Sequence, residues 1–310
     1  MEPPASLNGE SPRFDVAIVQ TKPSKGRYAE NLQAVGEIFA QLLAGGRVPD
    51  LVVLPEAALT GYFLEGAVYD LALPAERYAA DLARMWREAG GRAPVDIAGG
   101  FFENDGGTYY NSALYMTVVG DSHEIVHVHH KMFLPTYGVF DEERFLSRGR
   151  RMQAFDTRFG RAAMLVCEDV WHSIMPTIAA VKGARFLIVP SAAPGRGVDG
   201  EHELSSITRW RELLRASAAE HGVYVIYAGL AGFEGGKGMT GSSSIVDARG
   251  SVQVEGAAIG ACVVRGYVDM HEADLARAGL PLLGDLQAAL PDLLLDDELP
   301  LPRTWNDGGR

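Results

Sequence analysis

Cysteine is scarce in this sequence, and long apolar runs are absent. Only Cys167 and Cys262 occur among 310 residues, and because nothing in the sequence suggests export, we interpret both as reduced thiols rather than as a disulfide. The first fifteen residues are polar and lack the basic start and apolar stretch of a signal peptide. No apolar run approaches the ~20 residues that a membrane-spanning helix needs. The sequence therefore predicts a soluble, cytoplasmic protein.

Basic residues are also few relative to acidic ones. Lysine and arginine number 28 against 40 aspartates and glutamates, which gives a formal net charge of −12. This balance argues against a nucleic-acid or anionic-membrane partner. Apolar residues make up 47% of the chain, which is enough for a sizeable core in one large domain or two small ones.

Nucleotide-binding motifs are missing. The glycine-rich stretch AGFEGGKGMTG (231–241) contains a lysine, but Ala231 holds the place of the first glycine of a phosphate-binding loop and Gly238 that of the Ser or Thr. We interpret this stretch as a flexible surface loop. No Gly-x-Gly-x-x-Gly follows a predicted strand, so no dinucleotide site is expected.

Four histidines between 123 and 130 raise the possibility of a metal site. On a strand, His127 and His129 would share a face, whereas His130 would point to the other. No further cluster of ligands accompanies them, so we predict no metal site here.

Short apolar runs alternate with stretches of helical period, which indicates a layered α/β domain. Strands are predicted at 14–20, 50–62 (stopped by Pro55), 95–103, 111–119, 124–131, 161–167, 185–193, 223–230, 241–250 and 261–270. Helices are predicted at 27–46, 76–91, 172–184 (interrupted) and roughly 201–221.

Polar residues that could carry chemistry follow three of the predicted strands. Glu56 follows LVVLP, Lys131 follows IVHVHH, and Cys167 follows AAMLV in the stretch MLVCEDVWH. Because α/β folds place their sites at strand ends, these side chains can converge. The carboxylate could then take the thiol proton, and the ammonium could offset the charge on a thiolate and an oxyanion. Taken singly, each has an ordinary interpretation: a core cysteine, a surface glutamate and a surface lysine.

At these residues the sequence resembles the nitrilase, or carbon–nitrogen hydrolase, superfamily over roughly 14–270. LVVLPEAALTGY resembles its catalytic-glutamate motif, HHKMFLP its lysine motif and MLVCEDVWH its nucleophile motif. FDEERFLSRG resembles the segment with a second glutamate, and GSSSIVDARG a late strand of the family. The resemblance implies that Glu56 is the general base, Lys131 the oxyanion-binding amine, Cys167 the nucleophile, and Glu142 the residue that positions Lys131.

The resemblance also implies an architecture. It predicts a four-layer α-β-β-α sandwich without metal or organic cofactor, paired through a helical layer as a homodimer. We expect a loose tail at 1–13, the hydrolase domain at 14–270, and an extension at 271–310, rich in Leu, Pro and Asp, that packs on the body or on a partner subunit.

Within the superfamily, KMFLPTYGVFDEERF and CEDVW resemble the glutaminase domain of glutamine-dependent NAD synthetases. Tyr62, Tyr137, Phe140 and the backbone of Glu168 fall where those domains hold glutamine. The resemblance breaks down in SAAPGRGVDG (191–200), where an alanine replaces the second serine of the S-x-S-P pattern. The expected carboxylate-binding arginine falls near Asp199, and Arg196 is a possible substitute.

The pyrophosphate motif SGGxDS of the synthetase half is not found, so we favour a freestanding amidase that acts on a small linear amide. The alternatives are a glutaminase that supplies ammonia to a separate synthetase, a nitrilase, an acyltransferase, and a catalytically silent scaffold of the same fold. The four matched residues argue against the scaffold, and the missing membrane spans argue against the acyltransferase.

The implied reaction proceeds through a thioester. Cys167 attacks the amide carbonyl while Lys131 and the N–H of Glu168 hold the oxyanion. Glu56 transfers the thiol proton to the departing ammonia and then activates water. Nitrilases usually follow the cysteine with Trp-Glu, whereas this chain has Glu168-Asp169, so we expect amides rather than nitriles as substrates.

Two further expectations concern the pocket. Trp171 and Tyr62 are candidate pocket walls, with core packing as the alternative, and Cys262 is interpreted as a core residue. If the acids at 168 and 169 are solvated, the entrance is negative and favours neutral or amine-bearing amides, although Arg196 could reverse this locally.

Overall fold

The computed structural model describes residues 13–197 and 204–294. The strands are β1 (Arg13–Gln20), β2 (Leu51–Val53), β3 (Val95–Asp105), β4 (Thr108–Val119), β5 (Ser122–His130), β6 (Ala154–Thr157), β7 (Gly160–Met164), β8 (Phe186–Ser191), β9 (Tyr224–Gly229), β10 (Ala231–Glu234), β11 (Lys237–Thr240), β12 (Ser244–Val246), β13 (Val252–Glu255) and β14 (Cys262–Asp269). The helices are α1 (Tyr28–Ala44), α2 (Val68–Leu71), α3 (Ala75–Glu88), α4 (Ile174–Val181), α5 (Ser205–His221), α6 (Met270–Gly279) and α7 (Leu282–Leu294).

Two six-stranded sheets form the centre of the fold. Their strand orders are β14-β1-β2-β3-β4-β5 and β13-β12-β9-β8-β7-β6. The neighbours β1, β2 and β3 run parallel, as do β7, β8 and β9. Since β3, β4 and β5 are successively antiparallel, β5 points the same way as β2, and both strands end at the same edge of their sheet.

The two-residue period of the strands divides the core into layers. In β1, Phe14, Val16 and Ile18 belong to the apolar cluster between the sheets. Ala17 and Val19 point the other way, into a second cluster with α1 and α3. Helices α4 and α5 cover the outer face of the second sheet with Ala179, Ala180, Trp210 and Leu214. The predicted four-layer α-β-β-α sandwich is confirmed.

Several local predictions were wrong. Pro176 does not interrupt its helix, because it lies in the first turn of α4, where a backbone N–H has no intrahelical partner in any case. The supposed flexible loop 231–241 is mostly the hairpin of β10 and β11, in which Ala231 pairs with Thr240. By contrast, the predicted stop at Pro55 is confirmed, since β2 ends at Val53.

The described part of the C-terminal extension packs on the body of the molecule. Met270, Ala273 and Leu283 are buried in the cluster between the sheets and α4–α5. The guanidinium of Arg277 donates to the carbonyls of Ala184 and Gly222. The predicted loose tail, apart from Arg13 at the start of β1, and residues 295–310 lie outside the described residues.

Candidate active site

Three strand ends bring the predicted catalytic side chains together. Glu56 lies three residues after β2, Lys131 directly after β5, and Cys167 opens a short 3-10 turn, Cys167–Trp171, after β7. Glu56 and Lys131 are 0% exposed and Cys167 is 5% exposed. The sheets therefore deliver a carboxylate, an amine and a thiol to one buried region.

The chain turns sharply at two of these positions. Cys167 has φ +46°, and Ala57, directly after Glu56, has φ +52°. Left-handed backbone is costly for residues other than glycine and is often found at functional sites. Gly100 makes room beside Glu56, because a Cβ there would lie 2.5 Å from the Glu56 Cα.

Lys131 is held between two carboxylates. Its Nζ donates to Glu56 Oε1 at 3.0 Å and to Glu142 Oε1 at 2.7 Å. Burial acts to lower the pKa of Lys131, but the charges of Glu142 and Glu56 outweigh it, so the net pKa lies well above its ordinary value. Lys131 therefore stays a cation and can balance negative charge nearby.

Glu56 is fixed by three donors. Its Oε1 accepts from Lys131 and from Asn111 Nδ2 at 2.7 Å, while its Oε2 accepts from the backbone N–H of Ala192 at 2.7 Å. With a single donor on Oε2, that oxygen keeps a lone pair free for a proton. The geometry suits a carboxylate that accepts a proton without moving.

Glu142 sits on the far side of Lys131 from Glu56. The hydroxyl of Tyr62 donates to the same Glu142 oxygen that Lys131 contacts, and among the described residues Glu142 Oε2 has no partner. Burial raises the pKa of Glu142 to about 7. The charge of Lys131 acts to lower this pKa, and the charge of Glu56 acts to raise it. This residue therefore titrates in the neutral range.

The thiol of Cys167 is kept neutral by its surroundings. Burial raises its pKa well above the ordinary value, Glu56 raises it further, and Lys131 acts in the opposite direction. The hydroxyl of Ser191 donates to Cys167 Sγ at 3.2 Å. A neutral thiol must lose its proton during attack, so a nearby base has to accept that proton.

A cavity of about 200 Å³ opens onto Cys167. Four predicted substrate-binding residues line it, namely Tyr137, Phe140, Glu168 and Trp171. Tyr62 lies instead in the wall of a neighbouring cavity of about 150 Å³, with Phe140 shared between the two. Its hydroxyl faces Glu142, so Tyr62 contacts the lysine-binding carboxylate rather than the space above the thiol.

The two acids after Cys167 have different surroundings. Glu168 lies on the cavity wall, and both of its carboxylate oxygens accept the Tyr137 hydroxyl at 2.9 Å. Asp169 is 0% exposed. The condition that both acids are solvated is therefore not met, because the Asp169 carboxylate is buried and accepts hydrogen bonds from backbone N–H groups.

Two guanidinium groups line the same cavity, those of Arg196 and Arg209. The Arg196 Cζ lies 4.7 Å from the ring centroid of Phe140 and 5.7 Å from that of Tyr137. The backbone of Arg196 is tied to the start of α5, since its N–H donates to Ser206 Oγ at 3.1 Å. Position 199, where the resemblance places an arginine, lies outside the described residues.

The remaining singled-out residues lie apart from this cavity. Cys262 is partly buried and packs at the edge of the core. His127 stacks on Phe155, and burial lowers its pKa to about 4. His129 and His130 contact Asp169 and Glu103. Within 13–197 and 204–294, no group of three or more His, Cys, Asp or Glu side chains is arranged to hold a metal ion.

A search of the same ranges finds no helix long and apolar enough to cross a membrane.

Sequence reasoning missed three residues of this region. Asn111 opens the predicted strand 111–119, where most residues are apolar, and its polar side chain there is a signal that could have been used. Arg209 lies on α5, far from the motifs in sequence, and nothing local marks it. Asp169 was considered only as an acid that could be solvated at the entrance, and its burial was not predicted.

Comparison with known proteins agrees with the fold. A family model for carbon–nitrogen hydrolases matches residues 15–277. The glutamine-dependent NAD(+) synthetase of Thermotoga maritima is 30% identical over 244 residues, which are 77% of this chain and 39% of that protein. The omega-amidase NIT2 of Danio rerio is 26% identical over 281 residues, 87% of this chain and 93% of that one.

Among solved structures, a carbon–nitrogen hydrolase from Helicobacter pylori G27 superposes with a TM-score of 0.78 at 24% identity, over 92% of this chain and 98% of that chain. This likeness supports the fold. The chain spans less than half the length of the Thermotoga maritima synthetase and nearly the full length of the Danio rerio amidase.

Proposed function

We propose that this chain, which belongs to the carbon–nitrogen hydrolase family, hydrolyses a small linear amide to an acid and ammonia. One observation carries the proposal: Glu56 and Lys131 are buried in direct contact at 3.0 Å, next to a cysteine that opens onto a cavity. A carboxylate, a cation and a thiol in this arrangement provide a base, an oxyanion partner and a nucleophile.

Acylation begins with the neutral thiol. Glu56 takes the thiol proton, and the Cys167 sulfur forms a bond to the amide carbon. The carbonyl oxygen becomes an oxyanion, which Lys131 and the N–H of Glu168 stabilise; one such donor is typically worth about 10²–10³ in rate. Glu56 then passes its proton to the nitrogen, the C–N bond breaks, and ammonia leaves a thioester on Cys167.

Deacylation repeats the proton transfers with water. Glu56 removes a proton from a water molecule, the hydroxide attacks the thioester carbon, and the C–S bond breaks. The proton returns to the sulfur, the acid departs, and the thiol and carboxylate are restored. The roles of Lys131 and Glu142 do not change between the two halves, because neither has to move.

The cavity wall favours an acyl group that ends in a carboxylate. Arg196 and Arg209 bring two positive charges to the wall, while the carboxylate of Glu168 is engaged by the Tyr137 hydroxyl. Guanidinium groups bind carboxylates through paired hydrogen bonds. This proposal departs from the expectation of neutral or amine-bearing amides, which depended on both acids being solvated.

Glutamine is a second candidate substrate. The similarity to the Thermotoga maritima NAD synthetase supports it, and the cavity presents both an acid, Glu168, and two arginines. An amino acid with a side-chain amide would place opposite charges against these groups. In this variant of the proposal, the ammonia would be passed to a separate synthetase.

The test is ammonia release from matched substrates. Purified chain is incubated with monoamides of dicarboxylic acids, with glutamine, with neutral amides of the same length, and with the nitriles that correspond to each. We expect amides to be hydrolysed and nitriles not, because a nitrile forms a thioimidate that requires a different set of proton donors. Cys167→Ala is the control and should release no ammonia. Equal or faster hydrolysis of the nitriles would contradict the amidase proposal.

A further inference from the structure

Asp169 carries the densest set of hydrogen bonds in the described site. Its side chain is completely buried and accepts from four donors. Oδ1 accepts from the backbone N–H groups of Met132 at 2.9 Å and Phe133 at 3.1 Å. Oδ2 accepts from the backbone N–H of Val166 at 3.0 Å and contacts His129 Nε2 at 2.9 Å.

The positions of these donors are what makes the arrangement informative. Met132 directly follows Lys131, and Val166 directly precedes Cys167. Lys131 and Cys167 belong to different sheets, since β5 ends the first sheet and β7 lies in the second. One carboxylate therefore joins the main chain beside the amine to the main chain beside the thiol.

The backbone near both residues needs such support. Cys167 has a left-handed φ of +46°, which relaxes unless neighbouring contacts hold it. The Asp169 N–H also donates to the Val166 carbonyl at 3.0 Å, so the side chain and the main chain of one residue both fix the turn. Past the end of β5, Met132 and Phe133 have left the ladder, and Asp169 accepts their N–H groups.

We propose that Asp169 is a positioning residue that sets the distance between the Lys131 amine and the Cys167 thiol across the two sheets. We call this arrangement the Asp169 clamp, formed by Asp169 with the N–H groups of Val166, Met132 and Phe133. The inference depends on the catalytic roles proposed above for Lys131 and Cys167. This role explains why an acid lies two residues after the nucleophile. Four donors satisfy the charge of Asp169, and its carboxylate holds the main chain in place.

The conservative variant is Asp169→Asn, which keeps the size but replaces one acceptor oxygen with an NH₂ that faces N–H donors. We expect kcat/KM for amides to fall by about 10²-fold, the loss typical of a displacement of ~1 Å at a reacting group. Asp156→Asn is the matched control, because this aspartate of β6 is exposed and should leave the rate unchanged.

Two readouts separate positioning from general stability. Hydrogen exchange of Asp169→Asn should accelerate at Val166, Met132 and Phe133 while β8 stays protected. Iodoacetamide alkylation of Cys167 at fixed pH, measured against Cys262 in the same sample, should slow by about tenfold, equivalent to one pKa unit. The reason is that a displaced Lys131 no longer favours the thiolate. A merely structural role would lower the melting temperature and leave the alkylation rate of the folded protein unchanged.

A second variant tests which contacts matter. His129→Gln retains an N–H donor and all three main-chain contacts, so turnover should stay within a few-fold of wild type. Equal losses of turnover in His129→Gln and Asp169→Asn would overturn the proposal, since the effect would then come from the contact between His129 and Asp169. Unchanged or faster Cys167 alkylation in Asp169→Asn would overturn it as well.

The wild-type protein provides a test that needs no variant and no substrate. If the clamp exists, the amides of Val166, Met132 and Phe133 exchange as slowly as those of the core strand β8. Rapid exchange at these three amides would overturn the proposal even if Asp169→Asn fails to fold. Failure of the proposed function would be recognised separately, by absence of ammonia release in a wild-type protein whose three amides are protected.

Discussion

The two sides of Cys167 are built on different principles. On one side lies the inner cluster, formed by Glu56, Asn111, Lys131 and Glu142, which is buried and held by direct hydrogen bonds. On the other side lies the outer wall, formed by Tyr137, Phe140, Glu168, Arg196 and Arg209, which lines an open cavity. Strand β4, two strand ends and a short turn at Glu142 supply the inner cluster, whereas the turn after Cys167, loops and α5 supply the outer wall.

This difference in structure separates the groups that set the reaction rate from those that select the substrate. A dry, preorganised cluster strengthens electrostatic interactions and needs no rearrangement during the reaction. A wall of partly exposed side chains can change without disturbing that cluster, because loops tolerate variation. We therefore expect changes in the inner cluster to affect the rate for every substrate, and changes in the outer wall to affect the choice among substrates.

The largest effect is expected from Lys131→Gln. The oxyanion loses its charged donor, which typically costs about 10²–10³ in rate, and the thiolate loses its counter-charge as well. The free energy of unfolding should fall by about 3–5 kcal/mol, because Glu56 and Glu142 are left as buried, unpaired charges. Steady-state kinetics and chemical denaturation measure the two effects.

Lys182→Gln is the control for this experiment, since the Lys182 side chain is exposed beyond α4 and its ammonium donates to the Met152 carbonyl, away from the inner cluster. A Lys131→Gln enzyme with near-normal turnover would show that the inner cluster does not carry the chemistry.

A smaller effect is expected from Glu142→Gln, and the pH dependence of the rate reveals it. Burial raises the pKa of Glu142 to about 7, so this residue gains a proton as the pH falls through that value and loses its charge toward Lys131. Activity of the wild type should therefore decline below about pH 7. The variant should be roughly 10–100-fold slower, in line with the loss of one charged hydrogen bond. Because glutamine does not titrate, the acidic limb of its pH profile should also be displaced. An identical pH profile in both proteins would show that the charge of Glu142 does not control activity.

The smallest effect is expected from the outer wall. Arg196→Gln and Arg209→Gln should each raise KM about tenfold for an amide that carries a carboxylate, the scale of one charge-assisted hydrogen bond, and should leave KM for the neutral amide of equal length unchanged. The measurement is a full kinetic comparison on the matched pair.

Arg84→Gln, on α3 at the opposite face and paired with Glu88, is the control. A uniform loss of kcat on both substrates would instead place the arginines in the catalytic machinery.

Sequence reasoning named most residues of both regions and missed one in each, Asn111 in the inner cluster and Arg209 in the outer wall. Glu56, Lys131 and Cys167 each follow an apolar run, and strands that run the same way end at the same edge of a sheet. Arg209 contacts the cavity only because α5 packs where it does, which no local pattern records. The burial of Asp169 was not predicted, because three of its four contacts come from a distant stretch, residues 129–133, and only Val166 is local.

Helices and strands with a clear apolar period were also easier to predict than those formed through tertiary contacts. Apolar periodicity identified the central strands and α1, whereas β10 and β11 were interpreted as a flexible loop because glycines obscured their pairing. Tertiary contacts, not propensity, make those residues strands.

We propose that turnover passes through a thioester between Cys167 and the acyl part of the amide. The direct measurement is intact-protein mass spectrometry of samples quenched in acid during turnover, followed by peptide mapping, with hydroxylamine added in parallel to capture the acyl group as a hydroxamate. We expect an acyl adduct on Cys167, its loss in the presence of hydroxylamine, and no adduct on Cys262 or in Cys167→Ala. Turnover without any adduct or hydroxamate, or an adduct confined to Cys262, would contradict it.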